Sequence, residues 1–151
     1  MARTMSTKEI VELLRSSVKE FTEWREKNMN IQLNLSEADL SNIDLSGVSL
    51  IGANCFGTNF EESTLFRVNF TRAMLGSSVF NKVKFCNALF IGADLDRVDF
   101  ILANLRGAKF NRASLVNSCF AFANLQDADF TGADLKDADF SGANLNGAIG
   151  L

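Results

Sequence analysis

Residues 90–145 read FIGADLDRVDFILANLRGAKFNRASLVNSCFAFANLQDADFTGADLKDADFSGANL, and a large apolar residue falls on every fifth position: Phe90, Leu95, Phe100, Leu105, Phe110, Leu115, Phe120, Leu125, Phe130, Leu135, Phe140 and Leu145. In an α-helix five residues advance about 500°, so successive members would drift by about 140° and bury no common face. In a straight strand side chains alternate, so an odd spacing would send Phe100 and Leu105 to opposite faces. A chain that bends once per five residues brings every fifth side chain to one axis. The spacing therefore predicts a coiled solenoid with one short strand per side.

The phase runs back without an insertion to Leu35, through 23 positions of which twelve are Leu, ten are Phe and one is Cys55. Two residues before each, the chain places mostly Ala (Ala93, Ala103, Ala108, Ala113, Ala123), with Ser, Thr, Val, Ile and, in the first repeat, Leu33 as the exceptions. A large knob beside a small one lets layers interdigitate in a narrow tube without overpacking. The position between them is mostly Asp or Asn. The second position after the large residue is Gly at eight places, among them Gly92, Gly107, Gly132 and Gly142. Both residue types suit bends.

Residues 128–147, Ala-Asp-Phe-Thr-Gly, Ala-Asp-Leu-Lys-Asp, Ala-Asp-Phe-Ser-Gly and Ala-Asn-Leu-Asn-Gly, resemble the tandem A(D/N)LXX repeats of the pentapeptide-repeat family. The chain looks like the cyanobacterial members of that family. The resemblance covers residues 33–147 and implies an all-β solenoid, a right-handed quadrilateral β-helix with four repeats per coil. On that register 23 repeats make about 5.75 coils, and a rod about 27 Å long at the usual strand spacing. Residues twenty apart then stack, so Phe60, Phe80, Phe100, Phe120 and Phe140 form one ladder. Phe70, Phe90, Phe110 and Phe130 form the opposite one, and Leu-rich ladders lie between them.

A length of 151 residues, 47% hydrophobic and 22% charged, fits one globular domain, and the net charge of −3 signals neither a nucleic-acid binder nor an acidic tail. There is no Pro, which suits continuous ladders. The N-terminus lacks the apolar run of a secretory signal, and no window approaches transmembrane length, so a cytoplasmic location and no membrane partner are expected. Residues 1–5 read as a disordered start and residues 6–32 as a helical cap and connection. Residues 33–147 are the β-helix and residues 148–151 a short tail. Within the cap, Ser6 with Glu9 fits a capping box, and Ile10, Leu13, Leu14, Phe21 and Trp24 share a stripe. A second box, Ser17 with Glu20, leaves open whether residues 6–27 form one helix or two. The tail is too short to close its end, so two chains are expected to meet end to end as a homodimer through their last coils.

Catalysis fails on inventory. Without His there is no Ser-His or Cys-His couple, and Cys55, Cys86 and Cys119 have neither disulfide nor zinc-ligand spacing. No catalytic residue, cofactor or metal is expected. The cluster Asp127, Asp129, Asp134, Asp137 and Asp139 spreads over the sides of the coil and cannot converge on one ion. Residues 67–112 carry eight cations against Asp94, Asp96 and Asp99. Read as scattered over all four sides, they make a solvated waist and no nucleic-acid site. Some pentapeptide-repeat proteins protect DNA gyrase as acidic rods resembling duplex DNA, which is the alternative reading, but a positive waist would repel a DNA-binding surface.

The informative departures are apolar. Ile101 and Leu102 should stack beneath Ala121 and Phe122 as an outward patch, the candidate partner site. A secondary candidate comprises Met74, Val79, Leu89 and Ile91, in the coil that loses its usual Asp or Asn. The expected function is a non-catalytic scaffold or protein-interaction module with a protein partner.

Overall fold

The computed structural model describes residues 5–151. Residues 1–4 of the expected disordered start lie outside the described residues, whereas Met5 packs against the core. From residue 33 onward the chain is a four-sided coil. The middle residue of every side forms a parallel bridge to the residue twenty positions on, from Asn34 with Asn54 to Asp129 with Ile149. Four repeats therefore complete each turn. We label the sides by their buried ladders, each taken with the corner that follows it. Side A holds Leu35, Cys55, Leu75, Leu95, Leu115 and Leu135. Side B holds Phe60, Phe80, Phe100, Phe120 and Phe140. Side C holds Leu65, Phe85, Leu105, Leu125 and Leu145, and side D holds Phe70, Phe90, Phe110 and Phe130.

The ladder hydrogen bonds alternate. A middle residue bonds back, as Asn54 N donates to Leu33 O at 2.8 Å, and its own carbonyl accepts from Leu35 N at 2.7 Å. Each corner is a tight turn, as in Ala38 N donating to Leu35 O at 3.0 Å, whose third residue takes a positive φ, 58° at Glu37 and at Arg72. The corner N–H left outside the ladder goes to the preceding middle residue: Ser41 N donates to Asp39 Oδ1 at 3.0 Å and Ser46 N to Asp44 Oδ1 at 3.0 Å. That bond is why Asp and Asn recur between the two inward positions. In the coil of residues 73–92 the middle residues are Met74, Val79, Lys84 and Leu89, which have no acceptor to offer. In the same coil the Cys86–Asn87 corner departs from the rest in its two positive φ values, 23° and 60°, and like the Ser41–Asn42 corner it lacks the turn bond, here from Ala88 N to Phe85 O.

The two predicted Phe ladders face each other in the core, with the Leu-rich ladders buried between them. Phe100 stacks on Phe80 and Phe120 at 5.2 and 4.9 Å, and Phe110 on Phe90 and Phe130 at 4.9 Å each, with near-parallel rings. The ladders meet edge to face across the tube, Phe110 with Phe120 at 5.7 Å and 84°. Such pairs add about 0.5–1.5 kcal/mol beyond burial. Cys55 is fully buried in side A, and burial pushes its thiol pKa up.

Two helices close the first coil, α1 (Thr7–Ser16) and α2 (Val18–Lys27), so the cap is two helices. Ser6 and Glu9 form the full capping box, and Ser17 caps α2 through Glu20 N. Ile10, Leu14 and Phe21 are buried on the tube mouth. The first coil has carbonyls facing away from the rod, with no coil before it to donate to them. The cap supplies donors: Thr7 Oγ1 to Asn34 O at 2.9 Å, an Arg15 Nη to Asp39 O at 2.8 Å, and an Arg25 Nη to Ile51 O at 3.2 Å. At the other end the ladder runs past the expected boundary at 147, since Phe130 N donates to Ile149 O at 2.9 Å. The N–H groups of Leu135, Phe140 and Leu145 have no acceptor among the described residues.

Candidate partner surface

Three phenylalanines lie outside both the tube and the cap: Phe56, Phe66 and Phe122. Phe122 is 65% exposed, the most of any large apolar residue described, and Leu102 directly beneath it is 55% exposed. Leu102 N donates to Ala121 O at 3.1 Å, which locks Ile101 and Leu102 against Ala121 and Phe122 in one corner at the end of side B. Both Leu102 and Phe122 hold φ of 58°, an uncommon conformation for such residues. The ring of Phe122 lies over Gly142, where a Cβ would come within 2.6 Å of it, so only glycine leaves room for the ring there. The four residues proposed from sequence thus form one contiguous apolar corner.

The secondary group does not converge. Met74 pairs within side A, Val79 within side B and Leu89 within side D. One coil sends its four middle residues to four sides, so these three cannot share a surface. Only Leu89 and Ile91 remain together, on side D and its corner.

The basic waist reaches all four sides, but unevenly. Arg67, Lys84 and Arg106 lie on side C, and Arg72, Lys109 and Arg112 on side D; only Lys82 and Arg97 are elsewhere. Six of the eight cations thus occupy two adjacent sides. Along residues 33–149, sides A and B carry ten carboxylates against three cations, and sides C and D carry six cations against three carboxylates. The total over a stretch of sequence hides this unevenness, which only the distribution modulo twenty records. Among the described residues Arg106 pairs with Asp127 at 3.7 Å and Lys109 with Asp129 at 3.8 Å, while Arg67, Arg72, Lys84 and Arg112 have no ion-pair partner. At the corner of side D, Arg72 leans over Gly92 and Arg112 over Gly132.

In the acidic cluster Asp129, Asp134 and Asp139 lie on three different sides, D, A and B, as the register placed them. Among the described residues no group of three or more Cys, Asp or Glu side chains is placed to hold one ion. Cys55, Cys86 and Cys119 are free. No described helix is long and apolar enough to cross a membrane. Sequence reasoning missed one feature, an open depression of about 270 Å³ on side A between Phe56, Gly76, Asp96, Arg97 and Val116. Its signal was Gly76, a gap in the corner column on which Phe56 rests. Asp96 inside it already accepts from Ser114 Oγ and from Val116 N at 3.1 Å.

The repeat register on which these surfaces rest has a counterpart among known proteins. The family model described as pentapeptide repeat region matches residues 73–149, and that of eight-copy pentapeptide repeats matches residues 32–65 and 44–81. The chain belongs to the pentapeptide-repeat family. These proteins are right-handed quadrilateral β-helices, as is the coil described above. Among solved structures, one of QnrB1, a plasmid-mediated fluoroquinolone resistance protein, is 23% identical with a TM-score of 0.53, over 78% of this chain and 68% of that one. The pentapeptide-repeat protein Rfr23 from the cyanobacterium Cyanothece is 13% identical with a TM-score of 0.46, over 85% of this chain and 96% of that one. No match was found among curated proteins. The likeness to QnrB1 bears on the fold alone.

Proposed function

We propose that this pentapeptide-repeat protein is a non-catalytic display rod whose Leu102–Phe122 corner binds a protein partner. The observation that carries the reading is the apolar pair exposed at 55% and 65% on a closed backbone. Continuous ladders already fix the corner, so docking on it costs little ordering entropy. The test is the double variant Leu102→Asp with Phe122→Asp. Aspartate holds the same left-handed corner at Asp127 and Asp137, so the circular dichroism spectrum should be unchanged while a partner captured from the native cell is lost. An identical set of captured proteins would overturn the reading.

A second reading, a rod that imitates duplex DNA towards gyrase, gains from the acidic bias of sides A and B, although their stretches 73–82 and 113–122 carry no carboxylate. A gyrase supercoiling assay separates the two. Protection or inhibition that disappears when Asp94 and Asp99 become lysine would favour the mimic; no effect would leave the display rod.

A further inference from the structure

We infer that the partner of the Leu102–Phe122 corner is a second copy of this chain, which receives it on side D. The inference rests on the display reading and names its partner. Side B presents Asp99 and Asp139 two coils apart, with Phe122 in the coil between them. Side D presents Arg72 and Arg112 two coils apart, with Leu89 and Ile91 in the coil between them. At one coil per strand spacing both separations are about 9.6 Å. Acid, apolar, acid on one side thus matches base, apolar, base on the other. None of these four charges has an ion-pair partner among the described residues.

The lateral order matches as well. Within a coil, side B runs carboxylate first and apolar corner second, whereas side D runs Leu89 first and the arginine corner second. Two rods of one hand with parallel axes run their chains in opposite directions where their sides touch. Carboxylates then meet guanidiniums while Phe122 meets Leu89, with one rod slid along the other by two coils. Sides B and D are opposite, so each copy keeps its second surface free. The contact is heterologous, and the assembly is an open, staggered row of rods.

Sedimentation of the full chain tests this. The weight-average mass should climb past that of a dimer with concentration at about 0.1 M NaCl and return to monomer at about 1 M, as the screening length contracts from about 10 Å to about 3 Å. The charge swaps Arg72→Asp with Arg112→Asp, and Asp99→Lys with Asp139→Lys, should each be monomeric alone and should assemble when mixed. Both sets suit the backbone, since Asp127 and Asp137 occupy equivalent corners and Lys84 and Lys109 equivalent middle positions. Three results would overturn the inference: a monomer at every concentration in low salt, association indifferent to the swaps, or a dimer that goes no further and survives about 1 M salt, which would instead assign association to the unpaired edge of the last coil. A monomeric wild type whose captured partner is still lost from the corner variant would sink the second copy alone and leave the display reading standing.

Discussion

A side chain's role here is set by its place among five. Phenylalanine shows it best: Phe120 and Phe122 are two residues apart, yet one is fully buried and the other 65% exposed. The phase of the inward ladder could be read directly, because burying every fifth side chain leaves an unmistakable apolar rhythm. The purpose of the Asp and Asn row could not, since it rests on a hydrogen bond to an N–H two residues on that no hydropathy pattern records. Thr131 N on Asp129 Oδ1 at 2.9 Å is typical. Where the row lapses, the bond is missing. Met74 is 39% exposed and leaves Gly76 N without an acceptor, so Met74→Asn should stabilise the rod by about 1 kcal/mol, the net worth of one hydrogen bond. Urea unfolding would show it as a higher midpoint at unchanged slope; a lower midpoint would mean that the methionine packs better than its exposure suggests.

The cap works as an element whose apolar stripe was legible and whose polar work was not. Ile10, Leu14 and Phe21 fall at helical spacing and announce a buried face. Nothing in that stripe marks Arg25, yet it is 4% exposed and donates to Asn28 O, Ile31 O and Ile51 O. The reason lies outside the helix: the connection leaves the carbonyls of Asn28 and Ile31, and the first coil that of Ile51, beside one stem whose guanidinium supplies several donors. Arg25→Ala would strand these oxygens in a dry seam and should cost about 3 kcal/mol. Arg25→Lys, with a compact ammonium in place of the fork, should recover only part of that. Denaturant titration of both variants measures the difference, and equal loss for the two would show that the fork geometry is irrelevant.

At the scale of the whole molecule, the sequence revealed the tube and concealed its polarity. Net charge, and even the local balance of a 46-residue stretch, average over four sides, whereas a partner meets one side at a time. The acidic groups also link the rod to pH. Asp129 is held at about 2 by the Thr131 hydroxyl, the Asn111 amide and the Thr131 N–H, and Asp44 and Asp139 are lowered by the hydroxyls of Ser46 and Ser141. Unfolded carboxyls take up protons near about 3.9 while the folded ones resist to lower pH. The stability they lend is therefore complete above that range and is lost as pH falls towards 2. Urea midpoints should be level from neutral pH down to about 5 and fall below about 4, and Asp129→Asn should flatten part of the fall. A midpoint that rises on acidification would reverse the sign and remove these carboxylates as the cause.

Because four quintets close a turn, the rod behaves as a counter. Removing twenty residues from its middle would shorten it while leaving every later side where it was. Removing five would rotate everything beyond the cut by a quarter turn, carrying cations round to where carboxylates had been and setting each Phe ladder on a Leu ladder at the cut. Lineages that gain or shed single quintets would thus redraw the outward charge pattern in one step, at the expense of the ring stacks that cross the join.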